Sequence, residues 1–304
     1  MEVLTTLPAI AVAKALSKPA DTLIKKFATA CGVLYQPYHK VKMAKAEATA
    51  LVIKTQGQIE SDRLIAIDRL IHNEERCMAN EESIITKALP LLDETADAKN
   101  LDDDWLQNFI TKSRNTSDEV LQETWARILA GEVNQPNSFS KKVVNLVSEL
   151  GKRDAELFTL LASFTVTFFG ANAIFTHDWR DPFLLENGLN FNYFKHLDYL
   201  GLISLSTIDS YKLKFSGHPS NFYEKARANL KYFNRDYLIE FSSVKTDLEK
   251  GEVEVSLIYG FAMLTQAGEQ LLKICTPEPI EGFEAYLKTE LAKQQITLIL
   301  EPTE

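Results

Sequence analysis

Between Tyr38 and Leu89 apolar residues return every three or four positions: Ala50, Ile53, Leu64, Ile67, Ile71, Met78, Ile85 and Ala88 share one stripe, interrupted by Gly57, Glu60, Glu74 and Glu81. With no proline and one glycine, the stretch predicts helix throughout. It is either one rod of about 75 Å at 1.5 Å per residue or a hairpin broken near Thr55-Gln56-Gly57. Either shape carries an apolar stripe longer than a small body covers. Leu64, Ile67, Ile71, Met78 and Ile85 are therefore the candidate surface for pairing with a second copy.

Downstream, Pro90 closes that helix, and Asp102-Asp103-Asp104 stands before the apolar positions Trp105, Leu106, Phe109 and Ile110. Aspartate at a helix start accepts free backbone N–H bonds and suits the positive helix end, so capping is preferred to a metal site there. Thr116 and Glu119 have capping-box spacing ahead of a helix bearing Val120, Leu121, Trp125, Ile128 and Leu129 on one face, which makes Trp125 a core residue. Helices are also expected over 139–150 and 152–168. The second of these, with Leu157, Phe158, Leu161, Phe164, Val166 and Phe168, reads as a central core helix.

From Leu189 the pattern changes. A helix with Phe191, Phe194, Leu197 and Leu200 inward stops at Gly201; Leu202–Ser206 then alternates as a strand and is expected to form a hairpin with 211–215 through Asp209-Ser210. Further strands are predicted at 230–233, 237–241 and 253–264, a helix capped by Thr265, and a last helix at 282–294 with a strand at 296–300. This order is winged-helix-like. The expected fold class is mainly α with a smaller α+β part. It comprises a basic amphipathic segment (1–37), a long N-terminal helix or helical hairpin (38–92), a central helical bundle (93–188) and a winged-helix-like C-terminal part (189–304).

Composition sharpens this picture in two places. The chain has 33 Lys+Arg against 42 Asp+Glu, a net charge of −9, yet residues 1–45 hold seven lysines and two acidic residues. That segment is expected to pack as a helix on the protein's own body, with a partner or a membrane surface as alternative contacts. On the predicted 189–200 helix the outward residues are Asn192, Lys195, His196 and Tyr199, and Lys212 and Lys214 follow on the hairpin. These form the candidate contact for a protein partner or for nucleic acid, whose binding rests largely on phosphate neutralisation. Three widely spaced cysteines and no apolar run of membrane-spanning length point to a cytoplasmic setting.

Recognisable catalytic patterns are missing. There is no glycine-rich phosphate loop, His-Glu-x-x-His, Cys-x-x-Cys or Gly-x-Ser-x-Gly in the sequence. His177-Asp178 has the residue types of an acid–base pair, and His72 with Glu75 shares a helix face, but histidine beside carboxylates is ordinarily a solvated ion pair. No cofactor, metal or catalytic residue is assigned. The residues point to a homo-oligomeric interaction protein, with a nucleic-acid-binding regulator as the alternative.

A family resemblance adds to this. Gly32–Pro37, Ala44–Ala48, Asn80–Ile84, Asp103–Trp105, Trp125–Glu132, Pro136–Ser140, Leu197–Ile203 and Leu264–Gly268 occur in order along the chain, which resembles the bacterial family of unknown function DUF2806. The middle section resembles that of the abortive-infection alpha proteins. The second likeness implies a role class, bacterial defence against phage, and no mechanism; neither likeness hands a catalytic or binding role to any residue here.

Overall fold

The computed structural model describes residues 18–30, 58–206, 208–217, 227–242, 245–247 and 252–300. The chain divides into two compact units, Met1–Lys152 and Arg153–Glu304.

The first unit is helical where described: α1 (Lys18–Ala30), α2 (Gln58–Ala88), α3 (Asp103–Ser113), α4 (Glu119–Asn134) and α5 (Lys141–Val147). Pro19 does not break α1. It occupies the first turn, where its missing N–H costs nothing. Ala20, Leu23 and Phe27 are buried, so this part of the basic segment packs on the body. The Lys26 ammonium reaches the carbonyls of Lys99 and Leu101 and pairs with Asp103 at 2.9 Å. Asp102 caps α3 as expected, its carboxylate accepting the Trp105 N–H at 2.7 Å. The cap of α4 is Asp118, which accepts from Val120 and Leu121. Thr116, two residues earlier, instead accepts the Trp125 indole N–H at 3.0 Å. Trp105 stacks on Phe109, and Phe109 meets Trp125 edge-on, both at 5.3 Å, inside the core.

The second unit mixes helix and sheet. It starts with α6 (Lys152–Ala162), β1 (Thr165–Phe168), β2 (Ala171–Ile174), α7 (Pro182–Glu186) and α8 (Phe191–Tyr199). There follow β3 (Ile203–Leu205), β4 (Tyr211–Gly217), β5 (Arg227–Tyr232), β6 (Arg235–Phe241), β7 (Lys245–Asp247), β8 (Glu252–Gly260) and β9 (Ala262–Leu264). It closes with α9 (Gln266–Leu272), α10 (Phe283–Lys293) and β10 (Ile296–Leu300). An antiparallel five-stranded sheet runs β10-β6-β5-β1-β2. Smaller sheets pair β3 with β9 and order β4-β8-β7. Phe164, Tyr237 and Phe283 are among the largest fully buried side chains, and the Tyr232 ring stacks on Phe283 at 4.4 Å.

This corrects the expected fold class. Of the described residues about 53% are helical and 20% strand, and with the five-stranded sheet the class is mixed α/β, not mainly α. The helix expected over 152–168 ends at Ala162, and Thr165–Phe168 is a strand with alternating burial. Its β-branched residues favour the pleated backbone. Phe169 and Gly170, both at positive φ, close the two-residue hairpin to β2. A central helical bundle over 93–188 is thereby excluded. The winged-helix-like order fails at its hairpin: β3 pairs with β9 and β4 with β8, so 202–206 and 211–215 are not partners. In place of one long N-terminal rod, the described helix is α2, of 31 residues and about 46 Å. Residues 38–57 of that expectation lie outside the described residues, as do 1–17 of the basic segment.

Candidate functional site

The family-like motifs serve the scaffold. In the first unit, Asn80 and Gln122, both buried, join α2 to α4. The Asn80 amide donates to the Arg114 carbonyl at 2.9 Å, and the Gln122 amide donates to Asn80 Oδ1 at 3.2 Å and the Thr116 carbonyl at 2.9 Å. Ser83 and Lys87 both donate to Gln122 Oε1, at 2.7 and 2.8 Å. Glu132, 3% exposed, accepts the N–H groups of Asn137 and Phe139, and Phe139 in turn accepts the Trp105 indole N–H. Burial pushes the Glu132 carboxyl above its ordinary value, the backbone donors offsetting only part of the effect. In the second unit, the Thr265 hydroxyl donates to the Gly201 carbonyl at 2.6 Å and accepts the Gly268 N–H, which holds α9 under β3.

The predicted pairing stripe is split. Positions seven apart on α2 lie on one side of the helix. The rows Leu70–Cys77–Ile84, Ile67–Glu74–Glu81–Ala88 and Ile71–Met78–Ile85 therefore run along a common face. At the C-terminal end these rows are used up inside the chain: Cys77, Ile84, Ile85 and Ala88 are buried, and Arg114 forms ion pairs with Glu74 and, at 3.0 Å, with Glu81. At the N-terminal end Ile67 is 50% and Leu70 70% exposed. Ile71 and Met78 are intermediate. Leu64 lies on the same helix. Sequence reasoning missed Leu70, which sits beside the strict heptad.

The candidate contact residues of α8 are only partly free. Asn192 and Lys195 are exposed, and Tyr199 is 87% exposed. His196 is tied down, its Nε2 standing 2.6 Å from Asp154 Oδ1. Lys212 and Lys214 lie on β4, in a different sheet from the β3 on which α8 packs, and Lys214 pairs with Glu254 at 3.5 Å. The structure adds neighbours that periodicity did not single out. The Arg180 guanidinium lies 4.2 Å from the Trp179 ring centre, Trp179 meets Phe191 at 5.0 Å, and the Lys195 ammonium stands 5.9 Å from the Phe191 ring centre. Adjacent Trp179-Arg180 was the available signal, but only the fold brings it to Phe191.

The chemistry-bearing candidates resolve otherwise. Asp178 accepts the Arg180 backbone N–H at 2.9 Å, and His177 Nδ1 is buried without a hydrogen-bond partner among the described residues, so these two do not form an oriented acid–base pair. His72 stands between Asp68 and Glu75, at 3.6 and 3.4 Å, on the surface. Among the described residues no three His, Cys, Asp or Glu side chains gather as metal donors would. Nor is any described helix long and apolar enough to cross a membrane.

The profile of a family described as protein of unknown function (DUF2806) matches residues 65–288. No curated protein and no solved structure matches the chain.

Proposed function

The chain belongs to the DUF2806 family, and from that premise we propose that it is a non-enzymatic interaction protein that pairs with a second copy through the exposed apolar positions Ile67 and Leu70 of α2. One observation carries the reading: the face of α2 that is buried at Ile84 and Ala88 continues as exposed Ile67 and Leu70. Burying one such side chain is worth roughly 1.5–3 kcal/mol. Opposed to the cost of association, a few of them suit a concentration-dependent pairing. Light scattering on the eluting full-length chain tests it. The expected result is a mass above the monomer that falls to the monomer in Leu70→Glu, with the circular dichroism of the folded chain unchanged because Leu70 is 70% exposed within one copy. A monomeric parent at every concentration removes the proposal.

The resemblance of the middle section to abortive-infection alpha proteins supports placing this pairing in bacterial defence against phage. Plating efficiency of phage on cells carrying the parent or Leu70→Glu tests that role; equal protection by both separates the role from pairing.

A second reading, binding of single-stranded nucleic acid, is favoured by the Arg180, Trp179, Phe191 and Lys195 ladder, since aromatic rings with nearby cations suit unpaired bases. It requires anisotropy of labelled single-stranded DNA or RNA to rise at low salt and the rise to vanish in Trp179→Ala. Unchanged anisotropy in the parent removes it.

A further inference from the structure

We propose that the cavity between α1 and the 99–107 stretch binds a small soluble anion carrying two or more linked phosphates, of the kind a nucleoside polyphosphate presents. The cavity measures about 700 Å³, a volume ordinary for small-molecule sites. Both of its walls belong to the first unit. On α1, Lys18, Thr22, Lys25 and Thr29 recur at spacings of four, three and four, so they share one helix face, and all of them line the cavity. The far wall carries Lys99, Asp103 and Gln107.

Where each charge goes decides what the cavity can take. Lys18, Lys25, Lys26 and Lys99 stand there against Asp21 and Asp103, a local surplus of positive charge in a chain whose net charge is −9. The Lys26 ammonium is spent within the chain: it donates to the Lys99 and Leu101 carbonyls and pairs with Asp103 at 2.9 Å, which cancels that carboxylate. Lys25 pairs with Asp21 at 2.7 Å, but both side chains are largely exposed. Such a surface pair is weak, so a more highly charged partner can take over the ammonium. Lys18 and Lys99 are exposed and form no ion pair among the described residues. One free ammonium therefore stands on each wall, with Lys25 as an exchangeable third. The Thr22 and Thr29 hydroxyls are turned back onto the Lys18 and Lys25 carbonyls at 2.8 and 2.9 Å, which leaves recognition to the lysines. A lysine ammonium is a compact charge with three donors, well suited to phosphate oxygens. Lys18 and Lys25 lie about 10.5 Å apart along the helix axis. A lone phosphate has to draw both ammonium groups in from that distance, whereas linked phosphates meet them where they stand.

Equilibrium dialysis of the full-length chain against radiolabelled triphosphate tests this. Binding is expected, and it should weaken about tenfold or more when Lys18→Gln and Lys99→Gln are combined, since charged hydrogen bonds are lost on both walls. Inorganic phosphate at matched ionic strength should bind the unmutated chain about tenfold or more weakly than triphosphate, because linkage makes the second contact intramolecular. Lys212→Gln combined with Lys288→Gln removes the same charge elsewhere and should leave the affinity unchanged, as should Trp179→Ala. Circular dichroism checks that each variant is folded. Flotation with phosphatidylcholine–phosphatidylserine vesicles tells a free anion from a lipid headgroup: the chain should stay unbound, and vesicle capture without triphosphate binding overturns the proposal. So does a folded parent that does not bind triphosphate, equal affinity for phosphate and triphosphate, or equal weakening by the two lysine pairs.

Discussion

Two glycines and one carboxylate show how closely single positions are constrained. A Cβ on Gly268 would lie 2.1 Å from the Leu202 carbonyl oxygen, which belongs to backbone and cannot swing aside. Gly268→Ala should therefore cost about 1–3 kcal/mol through forced displacement, read as a lower denaturant midpoint. At Gly131 the same atom would meet the Phe139 ring at 2.6 Å, a side chain pinned through its backbone by Glu132 and Trp105. Glu132 adds a pH dependence of defined sign. Its folded value lies above the ordinary 4.5, so the folded chain holds the proton more tightly than the unfolded one. As pH rises through 4.5 the unfolded chain releases that proton first, and the contribution of Glu132 to stability falls until the folded value is passed. Thermal unfolding of parent and Glu132→Gln across this window should show their difference moving in favour of the variant with rising pH.

At the scale of elements, α2 and α4 are joined by a polar layer within an apolar contact. Gln122 donates twice and accepts twice, so Gln122→Ala leaves Asn80 Oδ1 and the Thr116 carbonyl without that donor and Ser83 and Lys87 without their shared acceptor. Groups left unsatisfied in a buried setting cost about 1–3 kcal/mol, and equilibrium unfolding in urea should show a loss of that size. The reading of 152–168 as one helix failed here for a physical reason. An apolar run such as Leu157 to Phe169 satisfies both periods, and hydrophobicity alone does not separate a buried helix from a buried strand. Thr165-Val166-Thr167 and the Phe169-Gly170 turn mark the strand, and their weight comes from β5 standing ready to pair with Thr167 and Phe168.

Over the whole molecule, the chain is two units with different architectures, and the proposed self-pairing surface on α2 belongs to the first. A chain with a single two-fold contact closes as a dimer. Scattering mass in the parent should therefore level off at twice the monomer as concentration rises, and Leu70→Glu should hold it at the monomer.

Local chemistry determined much by itself. The Asp102 and Thr265 caps, the burial of Trp125, the strands within 227–241 and the closing α10 with β10 all follow from side chains acting on their own or nearby backbone. Only the tertiary structure decided the rest. Whether β3 meets β4 or β9, whether Leu70 is covered, and whether Trp179 reaches Phe191 depend on residues distant in sequence. The period of a pattern records which face is apolar, and the partner that covers the face is chosen by long-range packing.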